Sequence, residues 1–503
     1  MGKKKLWTYL IGILAGVVVI FGVKTARAID FGETLSVSGY VRTELDFHTG
    51  VMNPNNADIL QDSYKVNLFR NTLSTDLVFK PSDQFKLFSK IRLVDDSTER
   101  IDSDLPDYNA FPKFKGDETM MRLRDNHDAA EVRELYADIS LGNLWLRLGR
   151  QQIVWGESDG LRLLDVFNPL DLTQHLFLEP IPEQFENIRI PLWAIRGTYL
   201  IPNRYINDLT VEGVFNPGDN VPTQLAETGA PFNLIHLPPF IQLNPESRRG
   251  DLSGGGRIYG SVGAVSFTLN YLNTYNQDGI SKSEGLVLDP IHGIPLFALA
   301  GLPYSPFYPP FMYDLNSIVV KSEHPKINIY GASLNYALES LKAVIRAEFA
   351  YTSDQPYESQ RDPSEIIERG TFKYVLGFER QTFLLPLSIT LQAATVGIQF
   401  FQTIREGNEE DLFINQAPVD KEDNVASIYI NQAFAHDTVS ASLFGAYDFE
   451  DAYWIQSGLK YKPGMHWIFD VYANILGGGD KRPGKFGSLD FANGVLGRVS
   501  YQF

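Results

Sequence analysis

The chain reads as an all-β protein, a closed antiparallel transmembrane β-barrel of about 16–18 strands with long extracellular loops and one loop folded inward. Three observations predict this class. The last residues, Gly497-Arg498-Val499-Ser500-Tyr501-Gln502-Phe503, alternate in character and stop on an aromatic C-terminus. Strand-length segments elsewhere alternate polar and apolar residues, as a wall between lipid and a polar interior requires. The connections between these segments alternate between short and long.

The N-terminus carries a matching address. Lys3, Lys4 and Lys5 precede an apolar run over 6–23, followed by Ala26-Arg27-Ala28. This basic, apolar, small-x-small order is that of a secretory signal peptide, with cleavage expected before Ile29. The rival reading is a retained anchor, since the run is nearly long enough to span a bilayer. The Ala-x-Ala site and the β-patterned sequence directly behind it favour cleavage. Residues 1–28 are therefore assigned to the signal peptide and 29–503 to one barrel domain. No later segment is an apolar helix of spanning length, so insertion must use strands; in lipid only helices and closed barrels satisfy their backbone groups. The strand ending at Phe503 resembles the closing-strand signal of bacterial outer-membrane barrels, which the barrel-assembly machinery reads.

Composition fits. An exported chain of 503 residues with no cysteine relies on a large closed sheet for cohesion. Aromatics reach 13%, with 24 Tyr and 33 Phe against 6 Trp, as interfacial girdles require. A balance of 44 basic to 61 acidic residues excludes a nucleic-acid surface.

The strands follow in order. The sharpest lies near 35–48, where Tyr40, Arg42, Glu44, Asp46 and His48 share one face and Val41, Thr43, Leu45 and Phe47 the other. Near 340–352, Lys342, Arg346 and Glu348 oppose Ala343, Ile345, Ala347, Phe349 and Tyr351; near 465–476, Asp470, Tyr472 and Asn474 oppose Trp467, Phe469, Val471 and Ile475. A soluble sandwich alternates too, but it does not sort its connections by length. Short turns fall at 81–83, 141–143, 202–208, 262–263, 339–340, 385–386, 436–437 and 462–464. Long segments lie near 49–62, 96–128, 156–190, 217–250, 276–324, 353–369, 402–424 and 477–489, with only 449–452 short on that side. Short periplasmic turns and long outer loops are the mark of an outer-membrane barrel. The count is eighteen, or sixteen if the weaker segments 207–216 and 251–262 are not strands.

One stretch stands apart. Gly149-Arg150-Gln151, Trp155-Gly156-Glu157 and Asn168-Pro169-Leu170-Asp171 follow one another within a single strand and the segment behind it. Leu144, Leu146 and Leu148 share the lipid face, which puts Trp145, Arg147, Gly149, Gln151 and Trp155 on the other. Helical-turn spacing follows at Leu161, Leu164, Asp165 and Phe167. We read 157–190 as a loop folded into the barrel, held by Arg147 and Arg150 or Arg162 against Glu157, Asp159 and Asp165, and as the candidate constriction. An outer loop with solvated ion pairs is the alternative.

These motifs resemble the signature of domain-of-unknown-function family 1302, a group of bacterial outer-membrane barrel proteins; the specific match covers roughly 140–200. The resemblance implies a passive outer-membrane conduit, considered alongside a periplasmic lipid carrier and a resistance-nodulation-type inner-membrane pump. It supplies neither a substrate nor a catalytic residue.

Two long segments are unexpectedly apolar. One is 231–244, with Phe240; the other is 290–313, with Phe297, Phe307 and Phe311 among many prolines. Apolar surface on this scale marks a contact. The readings are a lid formed by the two loops together, a greasy vestibule for a lipid or hydrocarbon, or contact with the outer leaflet or a partner. The acidic runs Asp95-Asp96, Asp102–Asp104 and Glu409-Glu410-Asp411 are candidates for cations bridging lipopolysaccharide, or are simply solvated. No haem-attachment motif, phosphate loop, cysteine metal site or Gly-x-Ser-x-Gly elbow is present, so no cofactor, no metal site and no enzyme activity is assigned. The expected role is a channel for a hydrophobic or amphipathic solute, as part of an export or lipid-trafficking system. The alternatives are a general hydrophilic porin and a structural sheath around a periplasmic partner such as a multihaem cytochrome.

Overall fold

A computed structural model describes residues 29–503, apart from 33, 57–63, 106–121, 126–127, 159, 174–175, 177, 181–184, 227–228, 235–240, 246–249, 283–317, 360–364, 387–388, 408–411, 415–416 and 480–485. Eighteen strands form the wall. The first six are β1 (Leu35–His48), β2 (Val66–Ser82), β3 (Phe85–Asp96), β4 (Asp128–Leu141), β5 (Leu144–Gln151) and β6 (Leu192–Leu200). Next come β7 (Asn207–Asn216), β8 (Ser253–Val262), β9 (Val265–Tyr275), β10 (Lys326–Leu338), β11 (Ala343–Ser359) and β12 (Ile366–Thr382). The last six are β13 (Ala394–Arg405), β14 (Glu422–Phe434), β15 (Val439–Asp448), β16 (Ala452–Tyr461), β17 (Trp467–Gly478) and β18 (Gly494–Gln502). Both weak segments are strands, which decides for eighteen over sixteen.

Every strand pairs antiparallel with its neighbours in sequence, and β18 pairs with β1 from Tyr40↔Gln502 to His48↔Gly494. Closure leaves no edge in the wall. At the seam Gly39 and Phe503 exchange backbone hydrogen bonds of 2.9 and 3.0 Å. A short strand, Ile29–Phe31, pairs with residues 35–37 on the same edge of β1 and prolongs the line of β18. The terminal Phe503 is thus the seam's last rung, as the sequence pattern anticipated.

Alternation sorts the side chains as expected. Glu44 and Asp46 on β1, Glu348 on β11, and Asp470, Tyr472 and Asn474 on β17 are buried inside, while Phe47, Ile345, Phe349, Trp467, Phe469 and Val471 are exposed outside. Ring contacts on the outer face gather toward the two rims. His466 stacks on Tyr501 with centroids 5.1 Å apart at the short-turn rim, and Tyr271 meets Tyr330 at 5.3 Å toward the long-loop rim. One expected long segment is shorter than anticipated. β11 and β12 continue to Ser359 and from Ile366, so only 360–365 remains between them.

The interior is packed. Two apolar clusters lie within the wall rather than on it. One joins Leu176, Leu178 and Phe232 to Phe444, Trp454, Leu476, Phe491 and Leu496; the other joins Ile153, Trp155, Leu163, Leu164 and Phe167 to Val214, Leu272, Ile329, Val375 and Phe401. Each cluster combines strand residues from the inner face with residues of the connection after β5.

Candidate functional site

That connection, 152–191, crosses the lumen. It begins at a backbone that only glycine permits: Gly149 sits at φ +137°, where a Cβ would collide with the Leu135 carbonyl of β4. Asn168 then ties the two stems together. Its Oδ1 accepts Ile153 N–H at 2.7 Å and its Nδ2 donates to the Ile190 carbonyl at 2.8 Å. Between the stems the chain reaches across to the far wall. Trp155 Nε1 donates to Glu212 Oε1 of β7 at 2.9 Å. The Glu348 carboxylate of β11 accepts two backbone N–H groups, from Glu157 and from Leu164, both at 2.8 Å. Leu164 fills the place that a side chain on Gly331 of β10 would take.

The segment next meets the opposite side. Gln456 of β16 and Asn474 of β17 each donate to the Leu178 carbonyl at 3.1 Å, and Arg70 of β2 pairs with Glu179 at 3.2 Å. On the return, Arg92 of β3 and Arg133 of β4 donate to the Asn187 carbonyl at 3.1 and 2.5 Å, and Arg133 also reaches the Arg189 carbonyl at 2.7 Å. Strands from around the circumference therefore grip one irregular stretch of backbone. This accounts for its polar groups without regular structure, since buried N–H and C=O groups must find partners somewhere.

The expected helical turn is absent at 161–167; a turn closes instead at 185–189, where Arg189 N–H donates to the Phe185 carbonyl at 3.0 Å. Leu164, Asp165 and Phe167 of the expected turn are buried, and the Leu164 N–H goes to the Glu348 carboxylate. The expected ion pairs are also redistributed. Arg147 does not hold the loop; it pairs with Asp138 across the β4–β5 hairpin at 2.7 and 3.0 Å and stacks over Tyr136. Arg150 donates to the Pro191 carbonyl at 3.2 Å. It faces Asp219, whose carboxyl accepts Trp193 N–H at 2.9 Å and is raised above its ordinary range by burial. Arg162 stays within the segment, bonded to the carbonyls of Asp165 and Asn168, with the Asp165 carboxylate 3.7 Å away. Asp165 is clamped by Arg189 at 2.5 Å, and Glu157 meets Asn335 of β10. Asp159 lies outside the described residues.

Sequence reasoning missed Glu348 and Glu212 as partners of the segment, because nothing local links them to it, and missed Arg189, which clamps Asp165 from within the segment itself. Asp138 was within reach. A two-residue turn at 142–143 sets Leu141 opposite Leu144, and that register puts 138 opposite 147.

Phe240, Phe297, Phe307 and Phe311 all lie outside the described residues. Two neighbouring stretches are informative. Phe232 is buried in the first lumen cluster, while Asn53 donates to the carbonyls of Pro231 and Asn233 at 2.8 and 2.9 Å. Ile241–Pro245 runs parallel to residues 318–322, so the flanks of the two apolar loops meet in a small sheet. Among the acidic runs, Asp102 caps the N–H groups of Lys65 and Val66 at 2.6 and 2.9 Å, and Arg100 bridges Asp95 and Asp128. The run 409–411 falls outside the described residues. Asp420, Asp423 and Glu450 gather their carboxylates within 4.8 Å, where Arg405 pairs with Asp423 at 2.5 Å.

A closed antiparallel cylinder, apolar outside, ion-paired inside and crossed by its own chain, defines a transmembrane β-barrel of the outer-membrane porin type. The chain belongs to DUF1302, a family described as protein of unknown function, whose profile matches residues 10–385. No curated protein matches it in sequence. Among solved structures it is similar to OccAB3 of Acinetobacter baumannii, at 9% identity and TM-score 0.47 over 93% of this chain and 99% of that one. It is similar also to OccK5 (OpdH) of Pseudomonas aeruginosa, at 7% identity and TM-score 0.45 over 94% and 98%. The outer membrane channel DcaP of Acinetobacter baumannii matches at 10% identity and TM-score 0.39 over 95% and 99%.

Proposed function

We propose that this barrel is an outer-membrane channel for a hydrophobic or amphipathic solute, with 152–191 as its constriction. The supporting observation is the segment itself. A wall of eighteen strands encloses a lumen, and one stretch of chain docked on opposite sides narrows it by side-chain contacts rather than by a separate domain. The apolar loops 231–244 and 290–313 favour a solute with apolar surface, while Trp454, Phe444, Phe401 and Ile329 are buried in the clusters that fasten the crossing segment to the wall. In this reading the short turns face the periplasm, residues 1–28 direct export, and the barrel-assembly machinery inserts the chain among outer-membrane lipid and lipopolysaccharide. A periplasmic carrier and an inner-membrane pump are the partners consistent with an export role. The sheath alternative requires the lumen to receive another protein, whereas its cross-section holds residues 152–191 of this chain.

The test is reconstitution in planar bilayers. Replacing 158–188 with a short linker should raise single-channel conductance in a protein that still folds. A folded deletion variant with unchanged conductance would place the segment off the path. Conductance that tracks bulk conductivity and ignores added apolar solutes would return a general porin.

A further inference from the structure

Ion pairs line the inner face from the short-turn rim to mid-barrel, and they are layered rather than side by side. Asp138 is covered by Lys86 at 2.8 Å and Arg147 at 2.7 Å; the carboxylate is 7% exposed, the two cations 36% and 18%. Glu212 is fully buried at 0%, beneath Arg196 at 19% and Arg257 at 15%. Asp470, at 4%, lies under Lys460 at 27%. In each group the carboxylate sits against the wall and the cation faces the lumen. Two cations share one carboxylate in the first two groups, and Arg498 makes a second cation on Asp470 at 2.8 Å. The first two groups therefore carry two cations on one carboxylate as well as an outward-facing cation, while Arg498 in the third also stands opposite Glu44. Two further pairs, Lys90–Asp76 and Arg346–Glu379, present both signs about equally and do not cancel this bias.

The groups lie on β3–β8 and β16–β18; Lys86, Asp138, Arg147, Lys460 and Asp470 are within a few residues of the short-turn ends of their strands, while Arg196, Glu212 and Arg257 are at mid-strand. The Asp138 and Asp470 groups sit toward the short-turn rim, and the Glu212 group sits beside the second apolar cluster, where Trp155 donates to Glu212 and Arg257 lies over the Trp155 ring. Fixed charges of one sign along a narrow path raise the local concentration of the opposite ion. We infer that the solute is an anion: an apolar body carrying a carboxylate, sulfate or phosphate group, whose charge is received by the cationic vestibule formed by Lys86, Arg147, Arg196, Arg257 and Lys460. This rests on the channel reading above and adds the charge sign of the solute.

The measurement is the reversal potential of the wild-type channel across a potassium chloride gradient, compared with K86Q, K460Q and the double variant. These two lysines suit the purpose because Arg147 and Arg498 remain to satisfy Asp138 and Asp470, so neither substitution strands a buried carboxylate. Wild type should show a reversal potential shifted toward the chloride equilibrium potential. The double variant should lower the chloride-to-potassium permeability ratio about twofold or more, as expected for two charges removed at roughly 10 Å in water and screened by salt. Octanoate should block the wild-type current at lower concentration than octylammonium. A cation-selective or unselective wild-type channel, a double variant with unchanged selectivity, or a preference for octylammonium would overturn the anionic assignment while leaving the channel standing. A folded, heat-modifiable protein that passes no current would overturn the channel reading and this one with it.

Discussion

Glu348→Ala removes one side chain that accepts two backbone N–H groups of the crossing segment. Glu348 is buried, and its two oxygens accept Glu157 N–H and Leu164 N–H at 2.8 Å each. A hydrogen bond to a charged acceptor contributes about 1.5–3 kcal/mol. Losing both weakens the docking of 157–164 by about 3–6 kcal/mol, or roughly two to four powers of ten in the ratio of undocked to docked segment. Glu348→Gln should fall between, since an amide presents one acceptor and one donor and can keep only one of the two bonds. The wall is held by its own ladders, so heat-modifiable migration should survive both substitutions. The assay combines single-channel recording with thiol labelling of Ser158→Cys, which is unique because the chain has no cysteine. Glu348→Ala should add larger or noisier conductance steps and speed labelling by at least tenfold. A folded variant with wild-type steps and wild-type labelling would refute the view that Glu348 latches the segment.

Other perturbations follow from the same contacts. Gly331→Val should expel Leu164 from its seat and also raise conductance, at an overpacking cost of about 1–3 kcal/mol; Gly397→Ala, where a Cβ meets nothing within 4 Å, should be silent in the same recording. Deleting Phe503 removes two backbone bonds to Gly39, worth about 0.5–1.5 kcal/mol each, so the melting temperature of assembled barrels should fall only modestly. Its assembly yield in vesicles should fall severalfold, because the closing strand loses its terminal aromatic; equal yields would remove that role. Replacing Phe297, Phe307 and Phe311 together with Ser should weaken transfer of hydrophobic probes while sparing assembly, as gel migration and a fluorescent-probe uptake assay would report.

The fold was legible because its signal is local. Strand alternation has a period of two, so Glu44 against Leu45 or Asp470 against Val471 can be sorted without knowing any partner. Turns such as 142–143 and 263–264 announce themselves by length and glycine. The constriction was legible only in part. The polar face of β5 and the glycines at 149 and 156 pointed to an inward segment, and Leu164 and Phe167 are indeed buried. Its fastening was read only in part: Arg150 reaches the Pro191 carbonyl and Arg162 lies by Asp165, but most groups that hold the segment are neighbours only in space. Arg147 answers to the hairpin register and pairs with Asp138 instead.

The sequence by itself determined a closed sheet with lipid outside and charge inside, since each residue's face depends on its parity along one strand and lipid admits no unpaired edge. Only the tertiary structure decided what occupies the middle. Which carboxylate meets Glu157 N–H, which glycine receives Leu164, and which cations cover Asp138 and Glu212 depend on closing eighteen strands into one circle. That closure places β11 across from β5 although nearly two hundred residues separate Glu157 from Glu348, a relation set by curvature and register that no local pattern of residues encodes.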